Sequence, residues 1–549
     1  MTVAASEASA APMRRAQRRA TWWAFFFVFG AIVVLWSLSI PMMGGPDEPA
    51  HAVKAAAVAR GEFRTGFVRA RGGGFLAPSI PATRVRVPEA YGALRDLPLC
   101  WLTQSAVPAS CAHPVGNDES VVTATTYVGT YPPLYYLLVG WPSRVLKPST
   151  ALYAMRILTG LICAALLASG LTIAARLGRM LLVGAAISVT PMVLFLAGSI
   201  NPNAVEIAAA FCVWLSLLEL LTGSSPPVSG RMLVRITVAS VLLVGTRPLS
   251  PGFLVAIVVV VFVLVGDRAT LRRLWVDARV RLAAVVVSAF TALSVLYVLV
   301  NRSLGAFIEY GVGQPQSSRL DIARTAMHLT GQRIEQAIGI LEWIGPGQVR
   351  LPHLLITGWI AATLLVASVA LVVGGLRERA VLLALLAGCL ALPIVAQAGN
   401  AHGADWQGRY GLPVLVGVPL LSGWVIDRSR RLSRIAEQTL GTTVVAAIAI
   451  SYVVAYQRVM TRNVVGLPNS LFAGLSRGVW HGPASPASLF AWCLTSSLGY
   501  AALTIWLLWD PNDSLERGPT RKDRLKFRGR RDREPPDESK PTKFLPIAN

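Results

Sequence analysis

The sequence predicts an all-α polytopic membrane protein: a bundle of about 12 transmembrane helices with a long first extracytoplasmic loop. Composition is the first reason. Of 549 residues, 54% are hydrophobic and 14% charged, with a mean hydropathy of +0.55, whereas a soluble domain carries about 25% charged residues. The second is the recurrence of apolar runs long enough to cross a bilayer from residue 22 to residue 508. The third is charge placement: the net charge is +23, and its excess gathers in the termini and in short Arg-rich connections, as the cytoplasmic bias of basic loops requires. A nucleic-acid binder would concentrate that charge on one soluble domain, and none is visible, so nucleic acid is excluded as a partner.

Residues 1–21 form a basic N-terminal segment, with Arg14, Arg15, Arg18 and Arg19 ahead of the first apolar run at 22–40. No small-residue cleavage site follows closely, so this run reads as an uncleaved first helix with a cytoplasmic N-terminus. It opens the membrane domain, residues 22–509. Residues 42–131 are the longest polar insertion, rich in proline and glycine. They are expected outside the cell and folded down against the membrane, and their length releases them from the basic-loop rule. Cys100 and Cys111 lie there and are expected to form a disulfide. Cys163, Cys212, Cys389 and Cys493 fall in apolar spans, as small buried hydrophobes.

The segment 132–146 is opened by Tyr131-Pro132-Pro133-Leu134-Tyr135-Tyr136, contains Pro142, and is marginal in length. If it does not cross, every later Arg cluster falls in the cytoplasm, so it reads as a re-entrant or interfacial helix. The crossings that follow are runs near 151–174, 180–199, 203–222, 232–247, 250–265, 280–300, 353–374, 379–397, 410–427, 438–456 and 488–508. The pair 232–265 is short on both sides of Thr246-Arg247-Pro248, as a hairpin or a broken helix. Residues 301–352 form a second extracytoplasmic segment, in which Ser318–Trp343 has helical spacing and carries His328 and Glu335. Residues 510–549 are a basic, disordered cytoplasmic tail.

The chain is organised around Pro46-Asp47-Glu48-Pro49-Ala50-His51, just past the first span. A helix beginning after Pro46 puts Asp47 and His51, four residues apart, on one face. Pro49 falls in its first turn, where the missing N–H costs nothing. The plainer reading is that Asp47 and Glu48 only cap this helix. Other polar residues recur at the same membrane face. Asn201-Pro202-Asn203 precedes Glu206 by one turn, Arg247 sits in a very short connection, and Asp405-Trp406-Gln407-Gly408-Arg409-Tyr410 precedes a late span. Carboxylates and arginines beside an apolar bundle suit a lipid phosphate: arginines hold the phosphate and a carboxylate deprotonates an acceptor hydroxyl. Asp47 is the expected base and Arg409 the expected phosphate ligand. These residues require no cofactor, although His51 could help Asp47 hold a divalent cation, and no P-loop for a nucleotide appears.

Five motifs in order, PDEPAH, YPPLYY, INPN, TRP and QGRY, spread over residues 20–510, resemble the DUF2142 group of bacterial membrane proteins. That group is itself similar to the GT-C superfamily of polyprenyl-phosphate-sugar-dependent glycosyltransferases. The resemblance implies a catalytic carboxylate just after the first helix, where Asp47 and Glu48 stand. Read from the residues themselves, His51, Asn201, Asn203, Glu206, Arg247, Asp405, Gln407, Arg409 and Tyr410 are the expected substrate-binding set. Asn203 stands where related proteins often have Asp, which departs from a two-carboxylate metal site unless Glu206 substitutes. The implied reaction moves a sugar from a polyprenyl-phosphate donor to an envelope glycan or glycolipid at the outer face of a bacterial plasma membrane, among membrane lipids. The alternative is a transporter or lipid flippase for envelope precursors without catalysis. A transporter favours internal repeats and mid-membrane polar residues, and the ionisable residues here lie at the membrane edge.

Overall fold

The structure, a computed structural model, describes residues 2–63, 67–71, 79–102, 104–223, 228–303, 318–339, 349–399, 406–475, 480 and 482–510. Contacts divide the chain into Met1–Leu508 and Trp509–Asn549, and the second unit, with the expected tail, lies outside the described residues beyond Asp510.

Helix α1 (Thr2–Ser39) carries the basic segment and the first span without a break. The first loop then folds as α2 (Glu48–Val58), strands β1 (Phe67–Arg71) and β2 (Ser79–Pro88), short helices α3 (Glu89–Gly92) and α4 (Leu99–Leu102), β3 (Val121–Thr126) and α5 (Leu134–Gly140). The antiparallel sheet β1-β2-β3 adds a feature that the all-α reading lacked. Its signal was Arg84-Val85-Arg86-Val87: the valines are buried, the arginines exposed, and Val85 pairs with Ala124. Cys100 and Cys111 form the expected disulfide, with Cα atoms 6.1 Å apart. Arg462 secures that loop by donating to the carbonyls of Val107 at 2.7 Å and Gln104 at 3.1 Å.

Helix α5 has seven residues and runs into a single turn at Trp141–Arg144. At about 1.5 Å per residue it spans roughly a third of the hydrocarbon core and does not cross it.

The membrane part continues with α6 (Pro148–Leu177), α7 (Arg179–Ser188), α8 (Pro191–Ala197), α9 (Pro202–Thr222), α10 (Gly230–Val244), α11 (Ser250–Val265), α12 (Arg268–Val276) and α13 (Ala278–Val300). After α14 (Arg319–His328) and α15 (Thr330–Gly339) come α16 (His353–Val373), α17 (Leu376–Gly399), α18 (Leu412–Leu415), α19 (Gly417–Ser429), α20 (Arg434–Val465) and α21 (Pro486–Trp509). Among the described residues, nine helices are long and apolar enough to cross a membrane. The run expected at 180–199 is instead α7 and α8, bent by 60°. Pro191 forces Thr190 out of the helical region, to ψ 162°. Helices α10 and α11, of 15 and 16 residues, form a short hairpin through Gly245–Leu249. These three elements separate the nine long helices from the expected twelve crossings. Apolar side chains such as Leu282, Leu293 and Leu299 on α13 are exposed, as a bilayer-facing helix requires. The protein is a multi-pass membrane protein.

Helices α1 and α6 run antiparallel: Trp22 donates to Ser169 at 2.9 Å near one end, and Arg156 to the Ile40 carbonyl at 2.6 Å near the other. Several Arg-rich connections gather at the first of these ends. There Arg176 and Arg235 share Glu219, Arg273 donates to the Gly223 carbonyl, and Arg377 to that of Gly266. Asp427 caps α7 through the N–H groups of Met180 and Leu181, and Arg179 reaches the Leu508 carbonyl. The motifs singled out in the sequence lie at the opposite end.

Candidate active site

The site begins with a buried anchor. Arg156 Nε donates to Glu48 Oε1 at 2.6 Å and Nη2 to Oε2 at 2.7 Å. Its remaining donors meet the carbonyls of Ser37, Ile40 and Pro41, which close the C-terminal end of α1. Glu48 also accepts from the N–H groups of Gly45 and Ile200, both at 3.0 Å. Each of its oxygens therefore takes two donors, and no basic lone pair is left. Gly45 allows this approach, because a Cβ there would lie 2.5 Å from Ser199 Cβ. Asn201 completes the anchor. It caps α9 by accepting from Asn203 N–H at 3.0 Å and donates to the Pro46 carbonyl at 2.7 Å.

Asp47, the next residue back, has a different environment. It occupies the N-cap of α2 with φ 59°, in the left-handed region, and makes no capping hydrogen bond. Its carboxylate turns aside: Oδ1 accepts from the Tyr127 hydroxyl at 2.7 Å and Oδ2 accepts from Arg409. Pro49 lies in the first turn of α2 and His51 follows one turn on, as the spacing predicted. Arg409 is 3% exposed and Asp47 15%. Arg409 Nε and Nη1 are buried without an acceptor. The turn that delivers Arg409 is fixed by Gly408, whose N–H donates to Gln336 at 2.8 Å and whose Cβ would lie 1.9 Å from the Arg333 carbonyl. Burial pushes the Asp47 carboxyl up, but the Arg409 charge and the Tyr127 hydrogen bond hold it below its ordinary value.

A second arginine–carboxylate pair stands beside the first. Glu206 accepts from Arg247 at 3.2 Å, from Asn203 at 2.9 Å and from the Ser250 hydroxyl. The Arg247 guanidinium lies 4.4 Å from the centre of the Tyr410 ring and 5.9 Å from that of Tyr131. Arg409 lies 5.2 Å from the same Tyr410 ring, so one aromatic ring serves both cations. His51 shares a 2.9 Å hydrogen bond with the Tyr136 hydroxyl. Burial, and the charges of Arg247 and Arg409, push its pKa down to about 3, so the ring is neutral. Lys54, on the same face of α2, is buried without a partner for Nζ, and its pKa falls to about 8 through desolvation.

The five motifs therefore converge on one end of the bundle. Asp47, His51, Asn203, Glu206, Arg247, Arg409 and Tyr410 join one network, while Glu48 and Asn201 belong to the anchor beneath it. Gln407 opens the turn, its carbonyl accepting from the Tyr410 N–H at 3.0 Å. Asp405, with Glu309, Tyr310, Glu342 and Trp343 of the segment 301–352, lies outside the described residues. Among the described residues no three His, Cys, Asp or Glu side chains group as a metal site. Sequence reasoning missed Arg156, Tyr127 and Ser250. Arg156 carried a signal, since a cation inside an apolar helix demands a partner; Tyr127 and Ser250 carried none.

No curated protein matches the sequence. The fold is similar to crystal structures of ArnT from Cupriavidus metallidurans. The apo form gives a TM-score of 0.43 at 14% identity over 89% of this chain and 77% of that one. The form bound to undecaprenyl phosphate gives 0.41 at 15% over 90% and 77%. Residues 28–418 match the family described as Predicted membrane protein (DUF2142). With the motif network lying inside that match, the chain belongs to the DUF2142 family of membrane proteins.

Proposed function

We propose that the protein transfers a sugar from a polyprenyl-phosphate donor to a hydroxyl of an envelope glycan or glycolipid, at the outer face of a bacterial plasma membrane. The observation that carries this reading is Arg409: a buried guanidinium touching Asp47 while two of its nitrogens face no acceptor. A buried cation with orphaned donors costs free energy unless a ligand supplies acceptors, and phosphate oxygens do so well. The acceptor oxygen attacks the anomeric carbon, the bond from that carbon to the phosphate oxygen breaks, and polyprenyl phosphate leaves. The acceptor's proton passes to Asp47. In the resting site Arg409 and Tyr127 depress the basicity of Asp47. A phosphate that draws Arg409 toward itself, and adds its own negative charge, raises that basicity when the donor is bound.

Glu206 and Arg247 shape the second side of the site, with the Tyr410 ring between the two guanidinium groups. The Arg-rich end of the bundle then faces the cytoplasm, with both termini, and the site faces outward. Transfer from a lipid-linked sugar in membranes, compared for wild type and Asp47→Asn, tests the reading. A loss of about 10²–10⁴-fold is expected for a positioned base. Full transfer by Asp47→Asn would remove the enzymatic reading and leave a transporter or flippase in its place.

A further inference from the structure

The turn that carries Asp47 holds two non-glycine residues in the left-handed backbone region, Met43 at φ 66° and Asp47 at φ 59°. L side chains rarely adopt that region, and a turn with two of them persists only where its surroundings over-determine it. The anchor already described fastens this turn through the Pro41 and Pro46 carbonyls and the Gly45 N–H. A second contact comes from Trp101. Its side chain is wholly buried, and a Cβ at Gly44 would lie 3.0 Å from Cη2 at the far edge of the ring.

Trp101 is itself held fast. The bond from Cys100 to Cys111 closes its loop. The buried Arg462 guanidinium lies 5.5 Å from the ring centre and donates to the carbonyls of Trp101, Gln104 and Val107. Just past the end of α20, the Leu467 N–H donates to the Ser105 carbonyl at 2.7 Å. Gly466, at φ 79°, packs so closely there that its Cβ would lie 2.2 Å from the Ala106 carbonyl oxygen. The indole therefore cannot retreat from Gly44, and the turn takes its shape against it. Trp101 Nε1 is buried and meets no acceptor among the described residues, so the ring acts through packing.

We infer that Trp101 is a positioning residue for Asp47: its edge, fixed by the disulfide-closed loop and Arg462, bears on Gly44 and sets the turn that aims the Asp47 carboxylate at Tyr127 and Arg409. The role of Asp47 as base rests on the proposed function, whereas the contact from Trp101 to Gly44 is measured apart from transfer.

Wild type, Gly44→Ala, Trp101→Phe and the double variant are compared as full-length protein in nanodiscs. The readouts are transfer from a lipid-linked sugar and hydrogen–deuterium exchange of peptides covering residues 41–51. In Gly44→Ala the new methyl meets a ring that cannot yield, so the turn shifts. There kcat should fall at least ~10-fold, since a ~1 Å misplacement at a reacting group costs ~10²-fold, while donor KM stays unchanged. Exchange at the hydrogen-bonded Gly45 and Glu48 N–H groups should quicken. Trp101→Phe shortens the ring, breaks no hydrogen bond, and should cost less. In the double variant the shorter ring leaves room for the methyl, so kcat should rise above that of Gly44→Ala and exchange should return toward wild type. Independent sites would instead multiply their losses to within ~2-fold, and that outcome would overturn the inference. So would wild-type kcat and exchange in Gly44→Ala. Should Gly44→Ala fail to accumulate in membranes, Trp101→Phe decides by itself, and unchanged kcat and exchange there would refute the contact. Exchange restored in the double variant of a protein whose wild type transfers no sugar would sustain the contact and defeat the transferase reading.

Discussion

Asp47 and Glu48 are consecutive residues whose carboxylates meet opposite surroundings. Glu48 is wholly buried with every lone pair matched by Arg156 and two backbone N–H groups. Asp47 remains 15% exposed at the rim, held by one hydroxyl and one guanidinium that has donors to spare. Their substitutions should therefore fail in different ways. Glu48→Gln leaves the Arg156 charge buried without compensation, a loss of about 3–5 kcal/mol, so membrane abundance should fall with activity. Asp47→Asn keeps its shape at the partly exposed rim, so abundance should fall less than in Glu48→Gln while transfer is lost. Immunoblots of membranes beside transfer assays separate the two, and normal abundance of Glu48→Gln would refute the anchor.

Arg409→Lys retains the charge and loses the planar fork. Donor KM should rise at least ~10-fold, equivalent to about 1.4 kcal/mol of phosphate binding, while protein abundance stays unchanged. Tyr127→Phe removes a hydrogen bond that lowers the Asp47 pKa, so the acidic limb of the pH–rate profile should move to higher pH. An unmoved limb would mean that Asp47 is not the group that titrates.

His51 has a folded pKa of about 3 against an ordinary 6.5. Above 6.5 both states are neutral and the native state keeps its full stability. Between 6.5 and about 3 only the unfolded chain takes up the proton, so stability falls by up to about 1.4 kcal/mol per pH unit. Thermal melts of His51→Gln in detergent, followed from neutral to acid pH, should lose that slope relative to wild type.

Lys54 is charged at neutral pH in both states, but its folded pKa of about 8 lies below 10.5. The folded state bears that cost in full below pH 8 and is free of it above 10.5. Lys54→Met should therefore raise stability by about 3 kcal/mol at pH 7, with the gain shrinking toward zero as the pH passes 10.5. Loss of stability instead would show that Nζ has an anionic partner in the native protein.

By itself the sequence determined what depends on local pattern. Apolar length located nine of the twelve expected spans, arginine spacing separated the two ends of the bundle, and the spacing from Pro46 to His51 fixed the first turns of α2. The disulfide followed from two cysteines in one long polar loop. The tertiary structure decided what depends on residues far apart in the chain. Asp47 and Glu48 look alike to any local rule, and only Arg156, 108 positions from Glu48, and Arg409, 362 positions from Asp47, give them different surroundings. The short pieces of backbone were equally hidden: the bend at Thr190 and the hairpin at Arg247 follow local chemistry, yet the place of Arg247 against Glu206 and Tyr410 does not. A carboxylate's reactivity is set by its neighbours' charge and by water, and in this protein those neighbours arrive from other helices.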